Sequence, residues 1–296
     1  MKKTLFALLL ALCCTIPAMA QDATEPLRGD VNYDGDVTPA DISALINYLL
    51  NGVWPDEPGP DEPITEPQTF TVNGVSFTML PVEGGTFTMG GTAEQGADAG
   101  NSEKPAHEVT VSSFALGETL VTQELWVAVM GSNPSANTAN LQNPVETIDW
   151  SDVQAFIDAL YELTGTRFRV PTEAEWEFAA RGGNLSHGYK YAGSNNLAEV
   201  AWYQDNAGML TRPVRTKTPN ELGLYDMSGN VFEWCADWYG AYTADAQTDP
   251  TGPETGAFYV CRGGSYNQAA AMCRVSYRYV SRPTNKNGYI GLRLAL

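Results

Sequence analysis

Between Asp30 and Asp41 the chain places oxygen-bearing side chains at a spacing that wraps a hard cation. Asp30, Asn32, Asp34 and Asp41 fall at positions one, three, five and twelve of a twelve-residue loop. Gly35 stands at position six, where such a loop must turn sharply, and Val37 at eight is the apolar residue that ties it down. Asp36 at seven offers its backbone carbonyl, and Thr38 at nine reaches the ion directly or through water. Calcium takes roughly six to eight oxygens at flexible distances, and this spacing supplies them.

Other residues of chemical interest are scattered further along. Cys235, Cys261 and Cys273 follow the leader; an odd number permits at most one internal disulfide and leaves a thiol over, or three buried thiols. Gly263-Gly264 precedes Ser265, a pairing that suits positive φ and places a hydroxyl at a chosen spot. Asp226 and Glu233 flank Gly229 and Asn230, an acid-flanked turn that either exposes carbonyls or bonds its own amides. His107 and His187 are the chain's two histidines, without a metal-motif context, so both are read as surface or capping residues.

The elements that must position these groups follow from pattern. Lys2 and Lys3, the apolar run Leu5 to Ile16 and Ala18-Met19-Ala20 form a cleavable leader over residues 1–20, so the mature chain is exported. Its apolar run is too short for the ~20 residues of a membrane span. Cys13 and Cys14 leave lipoprotein processing as an alternative. After the calcium loop, Ile42, Leu45, Ile46, Leu49 and Leu50 share one helix face over 41–50, closing a loop-helix unit at residues 21–51. Five prolines interleaved with acids make residues 52–68 a semi-rigid spacer.

Residues 69–296 carry short glycine-bounded strands, among them Phe77 to Pro81 and Gly85 to Gly90. Helices are expected around Thr122 to Met130, from Asp152 to Leu163, and from Thr172, whose spacing to Glu175 is a capping box. The formal charge of −18 repels phosphate backbones and anionic lipid, which disfavours nucleic-acid and membrane-surface roles.

The loop and helix resemble one half of a type I dockerin repeat. Dockerins dock onto cohesins with two such halves; one half implies calcium binding and a cohesin-like or other surface receptor. From Gly85 onward, an ordered set of motifs resembles the formylglycine-generating, sulfatase-modifying family: Gly85-Thr-Phe-Thr-Met-Gly90, Pro144-Val145 leading to Trp150, Arg169 to Gly183, Asn220 to Trp234, Arg262-Gly-Gly-Ser-Tyr266 and Gly291-Leu-Arg293. The resemblance implies an α+β, C-type-lectin-like fold with little regular secondary structure. It also implies a structural calcium held by Asp226, the Gly229 and Val231 carbonyls, and Glu233.

The same resemblance bears on activity. Enzymes of that family hold copper through two cysteines just beyond the Gly-Gly-Ser-aromatic motif; the second position falls here on Cys273 and the first on Gln268. A soft copper(I) site needs both sulfurs, so the oxidase reading, with Cys273, Ser265 and copper, is set against a binding role. Iron-dependent branches use a histidine-rich segment that this sequence lacks. Related domains bind ligands with the segment before the terminal Gly-x-Arg. Here Gln268, Tyr277, Tyr279 and Tyr289 are the candidate contacts, for a glycan or protein ligand. A link to polysaccharide-processing systems is expected only by association with dockerins.

Overall fold

The computed structural model describes residues 65–296. The leader, the loop residues Asp30, Asn32, Asp34, Asp36 and Asp41, the helix after them and most of the spacer lie outside the described residues.

The domain opens with β1 (Gln68–Val72) and β2 (Val75–Val82), an antiparallel hairpin turned by Asn73-Gly74. Both turn residues have positive φ, 48° and 85°, the conformation that a two-residue hairpin needs and that Asn-Gly adopts readily. β5 (Phe114–Gly117) pairs with the other edge of β2. The last residues then bond to β5, Ala115 N–H donating to the Leu296 carbonyl and Gly117 N–H to that of Leu294. β3 (Gly85–Met89), β4 (His107–Val111) and β7 (Gln247–Thr248) make a second sheet. The third has the order β10 (Ile290–Gly291), β6 (Phe232–Trp238), β8 (Tyr259–Arg262), β9 (Tyr279–Ser281). Mixed, short elements around three small sheets agree with the expected α+β, lectin-like architecture.

Four helices pack on these sheets. α1 (Gln123–Met130) starts where the Thr122 hydroxyl accepts from Leu125 N–H and stops at Gly131 with φ 75°. α2 (Trp150–Thr164) begins two residues before the sequence expectation, because Asp149 and Asp152 cap each other's backbone N–H. Its buried face is Val153, Phe156 and Leu160, and Phe156 stacks on Trp126 of α1 at 4.7 Å. α3 (Glu173–Ala180) has the expected Thr172–Glu175 capping box. A short α4 (Leu197–Val200) follows. Among the described residues, no helix is long and apolar enough to cross a membrane.

α3 is buried on nearly every side, acids included. An ionised carboxylate survives there only with a partner, and each has one. Glu173 receives Arg278 through Nε at 2.6 Å and Nη2 at 2.7 Å. Glu177 pairs with Arg262 and Arg181 and accepts the Gly90 N–H. These pairs tie α3 to β8, to the segment before β9 and to the end of β3, fixing the frame on which the candidate site is built.

Candidate functional site

The site begins at the exit of β8. Gly263 and Gly264 have φ of 98° and 79°. A Cβ on Gly264 would lie 2.6 Å from Cys273 Sγ and 2.8 Å from Cys273 Cα, so the turn presses directly on the cysteine. Only glycine satisfies both the backbone angle and the space. Ser265, fully buried, donates its hydroxyl to Asn267 Oδ1 at 2.8 Å. Gln268 folds back beside it, its N–H donating to the Ser265 carbonyl and its Nε2 lying 3.3 Å from Asn267 Oδ1.

Cys273 ends a short 3-10 turn, Ala270–Cys273. Its sulfur has no solvent exposure and belongs to an apolar cluster with Tyr191, Leu197, Val200 and Ala201. Burial pushes the thiol up to about 12, against 9.0 ordinarily, so near neutrality it is a thiol and not the thiolate that attacks or binds metal. Cys235 and Cys261 are also free and fully buried, on neighbouring strands β6 and β8, and burial pushes both thiols up. No group of three or more His, Cys, Asp or Glu side chains among the described residues is arranged to hold a metal. A copper site does not fit here: the cysteine that would supply the first sulfur is an amide, and the remaining sulfur is protonated and enclosed.

Beside this turn lies an aromatic platform. The ring of Phe232, at the start of β6, is stacked by Tyr279 at 4.6 Å, with Tyr277 and Tyr289 at 6.4 and 6.5 Å. The hydroxyls of Tyr279 and Tyr289 are 3.3 Å apart. All three tyrosines are half-buried and rest on the main core. Along this stretch side chains alternate: Ser276 and Arg278 point inward and are buried, while Tyr277 and Tyr279 remain part-exposed. Tyr266, also half-buried, joins the region from the Gly-Gly-Ser turn, its N–H donating to the Asn230 carbonyl. Sequence reasoning missed Phe232 and Tyr266 as parts of this platform, although both sit inside motifs it had singled out.

The second expected calcium site has a different arrangement. Both oxygens of Glu233 are engaged: Oε1 accepts from Arg293 Nη2 at 2.9 Å, and Oε2 from Arg293 Nε at 2.9 Å and Trp176 Nε1 at 2.7 Å. Asp226, with φ 58°, accepts the Arg215 N–H at 3.0 Å and faces Asn230 Nδ2 at 3.3 Å; burial pushes its carboxyl up to about 6. Gly229, with φ 81°, leaves its would-be Cβ only 2.4 Å from the Trp202 carbonyl oxygen. Asp226, Gly229, Val231 and Glu233 therefore do not fit a cation as placed, because a guanidinium already occupies the carboxylate that would bind it. The N–H groups of Gly229 and Asn230 donate to the Gly263 and Trp202 carbonyls, and the Gly291-Leu-Arg293 motif brings Arg293 to Glu233.

A family model for the sulfatase-modifying factor enzyme 1-like domain matches residues 65–296, and one for the dockerin type I domain matches residues 28–71. The chain is 32% identical to the chaperone protein LppX of Paenibacillus barcinonensis, over 69% of this chain and 83% of that one. It is 31% identical to a formylglycine-generating enzyme of Streptomyces coelicolor, over 73% of this chain and 88% of that one. Among solved structures it is similar to Treponema denticola variable protein 1, with a TM-score of 0.71 and 33% identity over 79% of this chain and 99% of that one. The chain belongs to the sulfatase-modifying factor, or formylglycine-generating enzyme, family, and a dockerin type I match precedes that domain.

Proposed function

We propose that this is an exported binding protein built on a formylglycine-generating-enzyme scaffold, with recognition in place of oxidation. The observation that carries the reading is at Gln268 and Cys273. An amide stands where the resemblance places the first copper-binding sulfur, and the second sulfur is enclosed as a neutral thiol. Recognition falls to the platform around Phe232, with Gln268, Tyr266, Tyr277, Tyr279 and Tyr289 at its edges. Tyrosine and amide side chains give rigid contact area and adaptable hydrogen bonds at low entropic cost. The ligand is a glycan or a protein surface. The dockerin-type segment orders around calcium held by Asp30, Asn32, Asp34, Asp36 and Asp41 and anchors the protein to a cohesin-like receptor. On this reading the protein serves polysaccharide-processing assemblies, by association with dockerin-bearing systems.

The platform is tested by retention on glycan and protein arrays. Tyr279 rests on Phe232 and the core, so its alanine variant would lose stability as well as contact. Tyr277→Phe and Tyr289→Phe, which keep the packing and remove only hydroxyls, should weaken capture of a retained ligand without lowering the melting temperature. Unchanged capture by both variants and by Gln268→Ala would move the recognition face elsewhere.

The oxidase reading is supported by similarity to formylglycine-generating enzymes, that of Streptomyces among them, and by the retained Ser265 and Cys273.

A further inference from the structure

Behind the strand segment that presents the tyrosines, on the side to which Arg278 points, a cavity of about 500 Å³ opens to solvent. It lies between the N-terminus of α3, the end of β6 and the loop after β7, and its lining includes Met89, His107, Asp237, Tyr242, Pro250 and Arg278. None of the tyrosines of the proposed recognition platform lines it, so the inference does not rest on that platform. Pockets of this size hold small organic ligands, oriented by a few placed polar groups.

The polar groups of the deep wall are unevenly spent. Arg278 uses Nε and Nη2 on Glu173, and Nη1 on the carbonyls of Ser102 and Gly240 at 3.1 and 2.9 Å. The Tyr242 hydroxyl donates to Glu173 Oε1 at 3.2 Å. The Glu173 N–H donates to Asp237 Oδ2 at 2.8 Å. Two acceptors are left. Asp237 Oδ1 receives no hydrogen bond from any described residue. His107 Nδ1 lies 3.2 Å from the Pro105 carbonyl, which only accepts, so Nδ1 carries a proton and in the neutral ring Nε2 is the acceptor. Both residues are only 4% exposed, and neither acceptor is sealed off, so what accessibility they have is toward the cavity that they line.

Such a wall is short of donors. Glu173 pairs with Arg278, and Arg262 behind it is shared between Glu173 and Glu177, so among the lining side chains the Asp237 carboxyl has no ion-pair partner of its own, in a chain whose formal net charge is −18. Burial, with the Glu173 and Glu175 carboxylates nearby, outweighs the Glu173 N–H and Arg278 and raises that carboxyl to about 7. A cation seated against it would restore the ionised form. An anion would meet a guanidinium whose charge Glu173 already neutralises and whose three nitrogens all donate within the protein.

We infer that this cavity binds a small organic amine, whose primary ammonium donates to Asp237 Oδ1 with His107 Nε2 as the second acceptor, and whose short alkyl chain lies against Met89, Ala174 and Pro250.

The test is an amide-resolved NMR titration of the full-length chain with n-butylamine, with n-butanol and tetramethylammonium as matched probes. The butanol has the chain without the charge, and the quaternary ion has the charge without N–H donors. Expected are saturable shifts for butylammonium at residues 237–253 and around His107, with at least tenfold weaker binding of both controls. Asp237→Asn should weaken butylammonium binding about tenfold, the usual order for losing a charge-assisted hydrogen bond. Should that variant fold poorly, Thr251→Trp at the exposed rim fills the mouth without touching a buried group, and should block the titration. Equal binding of butanol, unaltered affinity in a folded Asp237→Asn, or no saturable shift in the wild type would overturn the assignment.

Discussion

The side chain that Gly264 lacks would place its first carbon 2.6 Å from the sulfur of Cys273. Turn and thiol are thus a single packed unit, and no room is left between them for a metal or a substrate sulfur. Gly264→Ala should strain a φ of 79° and collide with Cys273 and the Met272 carbonyl. A loss of about 2–4 kcal/mol in denaturant unfolding is expected. In the wild type, all three thiols should label with an aromatic disulfide reagent only as fast as the protein opens, since each is buried and protonated. Prompt labelling of Cys273 near neutral pH would show a reactive thiolate that this packing denies.

Glu233 should be a structural hinge pin. It meets Arg293 with both oxygens, fully buried, and Trp176 completes the set. Glu233→Gln leaves the guanidinium without its counter-charge, a change that costs about 3–5 kcal/mol in comparable buried pairs. The account expects the same loss with and without a calcium chelator. A loss that appears only in the presence of calcium would return the metal to this turn.

Much of this was legible in the sequence, and the limits have physical causes. The Thr172–Glu175 capping box and the glycine-bounded strand at Gly85–Met89 are local devices, so short windows reveal them. α2 started earlier than expected because an aspartate, Asp149, served as the cap instead of a more conspicuous serine or threonine. The fate of Glu233 was hidden, because its partner Arg293 lies sixty residues away. The same holds for Glu173, Asp237 and Arg278: the cavity they share exists only once α3, β6 and the approach to β9 meet. The platform was half read, because Tyr277, Tyr279 and Tyr289 stood out by residue type but the ring beneath them, Phe232, belongs to a distant strand.

Stability should fall as pH rises through the titration of Asp237. Its carboxyl moves from 3.8 in the open chain to about 7 in the fold. Between those values the folded chain holds the extra proton, so the contribution is fully present below about pH 4 and is lost by about pH 7. Asp237→Asn removes this term. Relative to wild type, the variant should gain up to a few kcal/mol between pH 4 and pH 8 in urea unfolding. Parallel pH profiles for the two proteins would mean that Asp237 is ionised throughout.

The dockerin-type segment has its own test. A fragment of residues 21–68 should gain helical circular dichroism on adding calcium, and Asp30→Ala should abolish the gain, because position one of the loop contributes a charged ligand. A wild-type fragment indifferent to calcium would leave the loop as an ordinary acidic turn.

The most direct measurement is oxygen consumption by the wild-type protein with copper(I) and a peptide containing Cys-x-Pro-x-Arg, followed by the mass of that peptide. With Gln268 in place of the first sulfur and Cys273 enclosed, the wild type should bind copper(I) weakly and leave the peptide cysteine unoxidised, while Gln268→Cys should gain copper affinity. Conversion of the peptide cysteine to an aldehyde by the unmodified protein, with matching oxygen uptake, would contradict the account and make this chain an oxidase.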